Sequence, residues 1–509
     1  MNKLSSIFSS IIKYIFLIIV FIVLVINIFE TSAVSYDMNE IVSYNFNYLW
    51  ILIMPLVLGV FMFIHKNIDK ISLFSIIVVG SIIYLGFAFY VVVNAGNFFS
   101  YDSGQCWEIG LKILNHEFDV FDKGSYIQMH PYQLGYILYN MFIVTIFKHA
   151  YFMYALNVVY ILIIGYLGYK ISKKIFNDEK IAKITLIIEL LFLPLYFYFF
   201  FKYGTIPGLC CLMFSIYYFV CLYLDEINTK NIILMIIFSM LACALKQNYL
   251  IASIAMFITL FIKALNKDAD FKRKISIIIP GIMLLVMSFS INKLITFYFE
   301  KMYDVEIGNG IPIVAWVAMG TDLDNNSSGP GRYDNSVCQD YFDCGQDTKI
   351  LKDYEKTRII NNIQNSINNP IKAISFYIKK IASMWSDPMF QSLWSGPSNA
   401  GITKIDNSFL NSLYFGGTVE KIIALFCKCI LVIIYACAFM FTKRHLRDNP
   451  ISIFFILYFI GGFIFHLFSE GKSQYTFMYV YMLIPLVGIE IERFCALVES
   501  KIKQKIVRL

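Results

Sequence analysis

The sequence predicts an all-α polytopic membrane protein, and three observations carry that prediction. Of its 509 residues 58% are hydrophobic and only 15% are charged, with mean hydropathy +0.66, which is too apolar for a water-facing surface. Apolar runs long enough to cross about 30 Å of hydrocarbon recur along nearly the whole chain. Lys and Arg gather in the short loops between those runs, the pattern of cytoplasmic loops in membrane proteins. In lipid the backbone has no water to bind, so the runs must be helices. The formal net charge of +7 belongs to this loop pattern, and no nucleic-acid partner is expected.

The runs fall at 11–30, 48–65, 72–93, 133–147, 151–170, 181–201, 206–224, 231–245, 248–263, 276–297, 421–441, 451–469 and 475–493. The first follows Lys3 and contains Lys13, as a secretory signal would. With further runs downstream and only a weak cleavage site at Thr31-Ser32-Ala33, a retained anchor is expected. Basic clusters at Lys3/Lys13, Lys66/Lys70, Lys170/Lys173/Lys174/Lys180, Lys263/Lys267/Lys272/Arg273/Lys274, Lys443/Arg444/Arg447 and Lys501/Lys503/Lys505/Arg508 should share one side. They do so if 133–147, which is short and carries Gln133, Tyr136, Tyr139 and Asn140, lies along the interface instead of crossing.

About 12 spans then remain, in a plasma membrane with both termini cytoplasmic. The expected organisation is a membrane module over 1–297, with an outer loop 94–132 and a juxtamembrane helix 133–147. An extracytoplasmic region follows over 298–420, then spans and a basic tail over 421–509. Within the middle region, Asp324-Asn325-Asn326-Ser327-Ser328-Gly329-Pro330-Gly331 marks turns, and apolar spacing over 350–384 predicts two helices broken at Pro370.

The same parity brings loop 94–132, Lys202 to Thr205, Lys246 to Asn248, 298–420 and Glu470 to Tyr475 to one face. Asp102 stands close to a hydrocarbon boundary, where an acid loses solvation and can act as general base toward an acceptor hydroxyl. Alternatively it caps the helix running through Gly110. Glu108 would not share a helical face with Asp102 and is set aside as a second acid. His130, ahead of Pro131, suits a phosphate or an acid to be oriented, with an ordinary interfacial role as the alternative. Lys246 ends a long apolar run and is costly there unless it meets an anion or snorkels between helices. Lys472, beside Glu470, and Arg332, after a Gly-Pro-Gly turn, suit a phosphate or pyrophosphate, or else a solvated loop. Most of the 11 cysteines lie inside apolar runs without metal-ligand spacing. Cys338 and Cys344 are spaced for a short disulfide in an oxidising exterior, a pairing the sequence leaves open. The chain has no Gly-rich nucleotide loop and no Ser/His/Asp signature, so a lipid-linked substrate is expected.

Together these pieces resemble the GT-C superfamily of polytopic glycosyltransferases, of the protein O-mannosyltransferase and aminoarabinose-transferase type. The matching stretches are Asp102, His130-Pro131-Tyr132-Gln133-Leu134-Gly135, Tyr203-Gly204-Thr205, Lys246-Gln247-Asn248, Trp316-Val317-Ala318-Met319-Gly320, Trp385-Ser386-Asp387-Pro388 and Glu470 to Tyr475. The resemblance implies a GT-C-like bundle with juxtamembrane helices and a large extracytoplasmic region. It also implies inverting transfer of a sugar from a polyprenyl-phosphate donor to an envelope glycan, lipid or protein on the outer face. Asp102 would be the base. Substrate contacts would come from His130, Tyr132, Gln133, Lys246, Asn248, Arg332, Lys472 and Tyr475, with Lys246, Lys472 and Arg332 on the lipid phosphate. The chain departs from that pattern in an extra hairpin of runs at 11–65 and in lacking an adjacent Asp-Glu pair. No cofactor or metal site is expected, and a divalent cation is left open. Two other classes stay in view: a polysaccharide polymerase or ligase using pyrophosphate-linked oligosaccharide, and a flippase that moves lipid-linked sugar without bond formation.

Overall fold

A computed structural model of the chain describes residues 3–265 and 270–507. Lys267 and Arg508 lie outside the described residues, as do the side chains of Lys3 and Lys505. The protein is 77% helical, with 22 helices and a single two-stranded hairpin, Thr31–Val34 against Val42–Asn45, among the described residues. Among the described residues nine helices are long and apolar enough to cross a membrane: Ser5–Phe29, Leu49–Lys70, Leu73–Ala95, Tyr151–Phe176, Thr205–Tyr223, Gln247–Ala264, Phe271–Tyr303, Thr418–Arg444 and Pro450–Phe468. A tenth arises if Glu179–Leu191 and Leu193–Phe200, bent by 56°, count as one span. Pro194 sits just past that bend, where its missing N–H removes a helical hydrogen bond. The chain is thus an all-α, multi-pass membrane protein by the length and composition of its helices. Their outward faces carry residues such as Leu52, Phe74 and Phe89, each more than 70% exposed, an apolar surface that suits lipid.

Three predicted runs take forms outside that set. Residues 231–245 lie in the helix Thr229–Leu245, 17 residues long, and 475–493 is divided between Ser473–Tyr481 and Ile484–Val507. Leu134–Phe147 has 14 residues and rises only about 21 Å.

Side-chain contacts identify one end of the bundle. Lys13 Nζ donates to the Lys443 carbonyl at 3.0 Å, and Arg444 meets Glu490 at 3.0 Å. Asp225 gathers Lys263 and Arg273, each at 2.6 Å, while His65 reaches Glu499 at 3.1 Å. Most of these pairs are partly exposed and contribute little stability. What they establish is that the basic helix ends lie together. The alternate ends, near Phe29, Leu49, Ala95, Thr205, Leu245, Tyr303 and Phe468, fall at the opposite end.

At that opposite end the segment between Tyr303 and Thr418 folds as short helices: Ile313–Thr321, Ser336–Asp343, Thr348–Asn368, Pro370–Trp385 and Ser408–Tyr414. Pro370 opens the fourth of them, at the position where a proline's absent N–H costs nothing. The turn after Trp385 is buried and built round Asp387, which accepts the N–H groups of Met389 and Gln391 at 2.9 Å and the Ser473 hydroxyl at 2.6 Å. Cys338 and Cys344 are both free thiols.

Candidate active site

Asp102 owes its position to local sequence. Gly96, at φ +82°, ends the preceding span, a conformation that glycine adopts without strain. The chain then runs past the Tyr154 hydroxyl, which donates to the Phe98 carbonyl at 3.2 Å. Lys202 braces the same stretch, donating to Asn97 and standing 3.8 Å over the Phe99 ring. Ser100 takes the N-cap position, so the helix Tyr101–Leu114 begins before Asp102. Asp102 therefore lies in the first turn and does not cap. Its carboxylate is free for other contacts and benefits from the positive end of the helix dipole.

The Asp102 side chain is open to solvent, yet protein surrounds it closely enough to perturb its ionisation. Burial raises its pKa; Lys472 works against that, Glu470 and Glu40 reinforce it, and a hydrogen bond with Tyr126 opposes it. The net direction is upward, which favours a stronger base than an ordinary carboxylate.

Around it stand acids and cations drawn from distant parts of the chain. Arg332 is almost wholly buried and bonds Glu40 at 2.5 Å. Lys472 reaches Glu40 at 3.1 Å and Glu470 at 3.5 Å. Burial alone would raise the Glu40 pKa, but Lys472 and Arg332 outweigh it and hold it down. For Lys472, burial works against its charge, and Glu40 with Glu470 more than restores it. The segment carrying these groups is pinned from behind. Lys380 donates to the Gly320 carbonyl at 2.5 Å and the Ser469 carbonyl at 2.6 Å, and the Gly471 N–H meets the Gly331 carbonyl at 3.0 Å.

Lys246 enters from the end of Thr229–Leu245. Two glycines allow backbone to approach backbone there: a Cβ on Gly135 would lie 2.1 Å from the Ala244 carbonyl oxygen, and one on Gly204 would lie 1.9 Å from that of Leu245. The Lys246 ammonium donates to Thr205 Oγ1 at 2.8 Å and sits 5.4 Å from the ring centres of both Tyr203 and Tyr475. Burial pushes its pKa down to about 7, with Glu470 and Asp102 opposing. Unlike Lys472 and Arg332, it makes no salt bridge among the described residues.

Of the residues singled out in the sequence, the fold gathers Asp102, Lys246, Arg332, Lys472, Tyr132 and Tyr475 into one charge-coupled cluster. Gln133 joins through its hydrogen bond to the Tyr203 hydroxyl. His130 is buried among the rings of Tyr126, Tyr132 and Trp316, and burial lowers its pKa to about 4, so it stands neutral at the cluster's edge. Asn248 is half-buried in the 3-10 turn after Lys246, and the fold does not bring it into the cluster's hydrogen bonds or ion pairs among the described residues. Glu40, Tyr126 and Lys380 were missed. The signal for Glu40 was available: the loop between the first two spans falls on the same side as loop 94–132 by the same parity. Among the described residues no group of three or more His, Cys, Asp or Glu side chains could hold a metal ion. Neither of two cavities in the structure, one lined by Thr31, Asp387 and Glu420 and one by Tyr44 and Lys379, is lined by Asp102. No protein-family model, curated protein or solved structure matches the chain, so its own residues carry the functional argument.

Proposed function

We propose that the protein is a membrane glycosyltransferase of GT-C-like architecture, with about 12 crossings, acting at the extracytoplasmic face of the plasma membrane. It transfers a sugar from a polyprenyl-phosphate donor to a glycan, lipid or protein of the envelope. The observation that carries this reading is Asp102, an acid with a raised pKa, facing a cluster that holds Lys246, Lys472 and Arg332. The cluster lies at the bundle end opposite the paired basic helix ends, which by the positive-inside rule face the cytoplasm.

In the reaction, the acceptor hydroxyl gives its proton to Asp102 as its oxygen attacks the anomeric carbon. The bond from that carbon to the phosphate oxygen breaks, and the lipid phosphate departs with the electron pair. Lys246 is the cation best suited to the departing phosphate, because Lys472 and Arg332 already neutralise Glu40 and Glu470. A phosphate beside Lys246 restores the proton that burial disfavours.

The test is sugar transfer by purified protein supplied with polyprenyl-phosphate sugars and an envelope acceptor fraction. Asp102→Asn is expected to lower turnover by about 10²–10⁴-fold. Wild-type turnover in that variant would remove Asp102 from the mechanism. Transfer from a pyrophosphate-linked oligosaccharide alone would identify a polymerase or ligase instead.

A further inference from the structure

A second cavity, of about 500 Å³, lies between the hairpin, the Asn326–Pro330 turn and the helix Pro370–Trp385. Its walls divide by chemistry. Ile41, Val42, Leu323 and Phe376 line it with hydrocarbon, whereas Ser327, Ser328, Ser375, Lys372 and Lys379 supply hydroxyls and ammonium groups. The walls are tied together: the Val42 N–H donates to the Ser328 carbonyl at 2.9 Å, and the Tyr44 hydroxyl donates to the Lys379 carbonyl at 3.2 Å. Lys372 is paired with Asp324, while Lys379 is exposed and makes no salt bridge among the described residues. Counting the lining side chains and Asp324, the polar wall has one positive charge in excess; Glu30, outside the lining, is the acid near enough to feel Lys379.

The cavity stands at the edge of the membrane-crossing surface. The end of its helix is level with the ends of two spans, because Asn27 donates to the Trp385 carbonyl at 2.9 Å and Lys380 to that of Ser469 at 2.6 Å. On the outer side of that helix Ile371, Ile374 and Ile378 are exposed, 84%, 61% and 48% respectively. Tyr377 links this stripe to Phe468, with ring centres 6.5 Å apart, and Phe468 and Ile464 are exposed on the span Pro450–Phe468. An apolar surface therefore runs from a membrane-crossing helix to the lip of a cavity whose ammonium groups stand on Pro370–Trp385 itself, beside the stripe, and whose opposite wall carries the Ser327 and Ser328 hydroxyls.

We propose that this cavity binds a membrane phospholipid of net charge −1, its phosphate head group against Lys379 and the serines and its chains along Ile371, Ile374 and Ile378. The acyl chains remain at the apolar stripe while the phosphate accepts hydrogen bonds from Ser327, Ser328 or Ser375, and Lys379 balances its charge. The site is separate from the Asp102 cluster and does not depend on the glycosyltransferase reading. It adjoins that cluster through one strand, since Ile41 and Val42 line the cavity directly after Glu40.

The experiment uses the purified full-length protein in nonionic detergent with phosphatidylglycerol carrying a photoreactive group beside its head group, followed by peptide mapping. Labelling is expected within 41–44 and 371–379, and at least about fivefold lower in Lys379→Glu. Ser375→Trp, which fills the cavity from an exposed position, is expected to reduce it similarly, with thermal melting confirming that both variants are folded. Labelling elsewhere only, or labelling unchanged in both folded variants, would overturn the proposal. Equal labelling by a phosphatidylcholine analogue would overturn the head-group assignment, and abolition by equimolar glycerol 3-phosphate would reassign the cavity to a free phosphate.

Discussion

Asp102 sits under opposed fields: burial and two neighbouring acids favour its neutral form, and Lys472 and Tyr126 favour its anion. Because the folded pKa lies above the ordinary carboxylate value of 3.8, folding favours the protonated acid, and stability declines as pH rises through that interval. Asp102→Asn should therefore inactivate transfer while leaving the thermal unfolding temperature equal or higher, a combination that a purely structural acid would not give. The acid limb of the kcat/KM profile should likewise be displaced upward from the ordinary aspartate value and vanish in that variant.

Glu40 has the opposite sign. Its folded pKa lies below the ordinary 4.5, so its ion pairs stabilise the protein above that value, and the gain is lost as pH falls through the lowered one. Glu40→Gln leaves Arg332 buried without its acid and is expected to cost about 3 kcal/mol, read from denaturation in detergent. For Lys246→Met, the expected outcome is a KM for the lipid donor raised at least about tenfold, consistent with loss of one charge-assisted contact. An unchanged donor KM would assign the lysine a structural role. Lys246 and Lys472 were legible in the sequence because charge beside hydrocarbon is conspicuous there, and Arg332 because it follows a Gly-Pro-Gly turn. Tyr126 was not, because a tyrosine in a tyrosine-rich membrane protein has no such signature until the fold brings it to Asp102.

At the level of elements, the site depends on close contacts made by glycine. Gly135 and Gly204 bring two segments against the last carbonyls of Thr229–Leu245 and so set where Lys246 emerges. Gly204→Ala, forced against the Leu245 carbonyl, is expected to cost about 1–3 kcal/mol and to displace Lys246. Lower thermal stability together with a raised donor KM would check it. The break at Pro370 could be read from sequence because proline cannot continue a helix from its interior. The start of the helix carrying Asp102 was harder to place: Ser100 and Asp102 are both favourable caps, and only the backbone shows that Ser100 takes that position.

Across the whole molecule, the basic helix ends and the Asp102 cluster lie at opposite ends of the bundle, which gives a topological test. Single cysteines at Asn335 and Lys443, in a background lacking native thiols, should react with a membrane-impermeant maleimide from opposite sides of intact cells, Asn335 from outside. The same side for both would break the topology on which the outer-face assignment rests.

Composition and spacing alone determined that this is a helical membrane protein, because hydrocarbon demands apolar length and internally paired backbone, and both are written residue by residue. Parity of charge was enough to bring most of the candidate residues to one end. Only tertiary structure decided which charges meet. Glu40 lies far from Arg332 and Lys472 in sequence, and a pair formed across such distances depends on helix packing that no local pattern encodes.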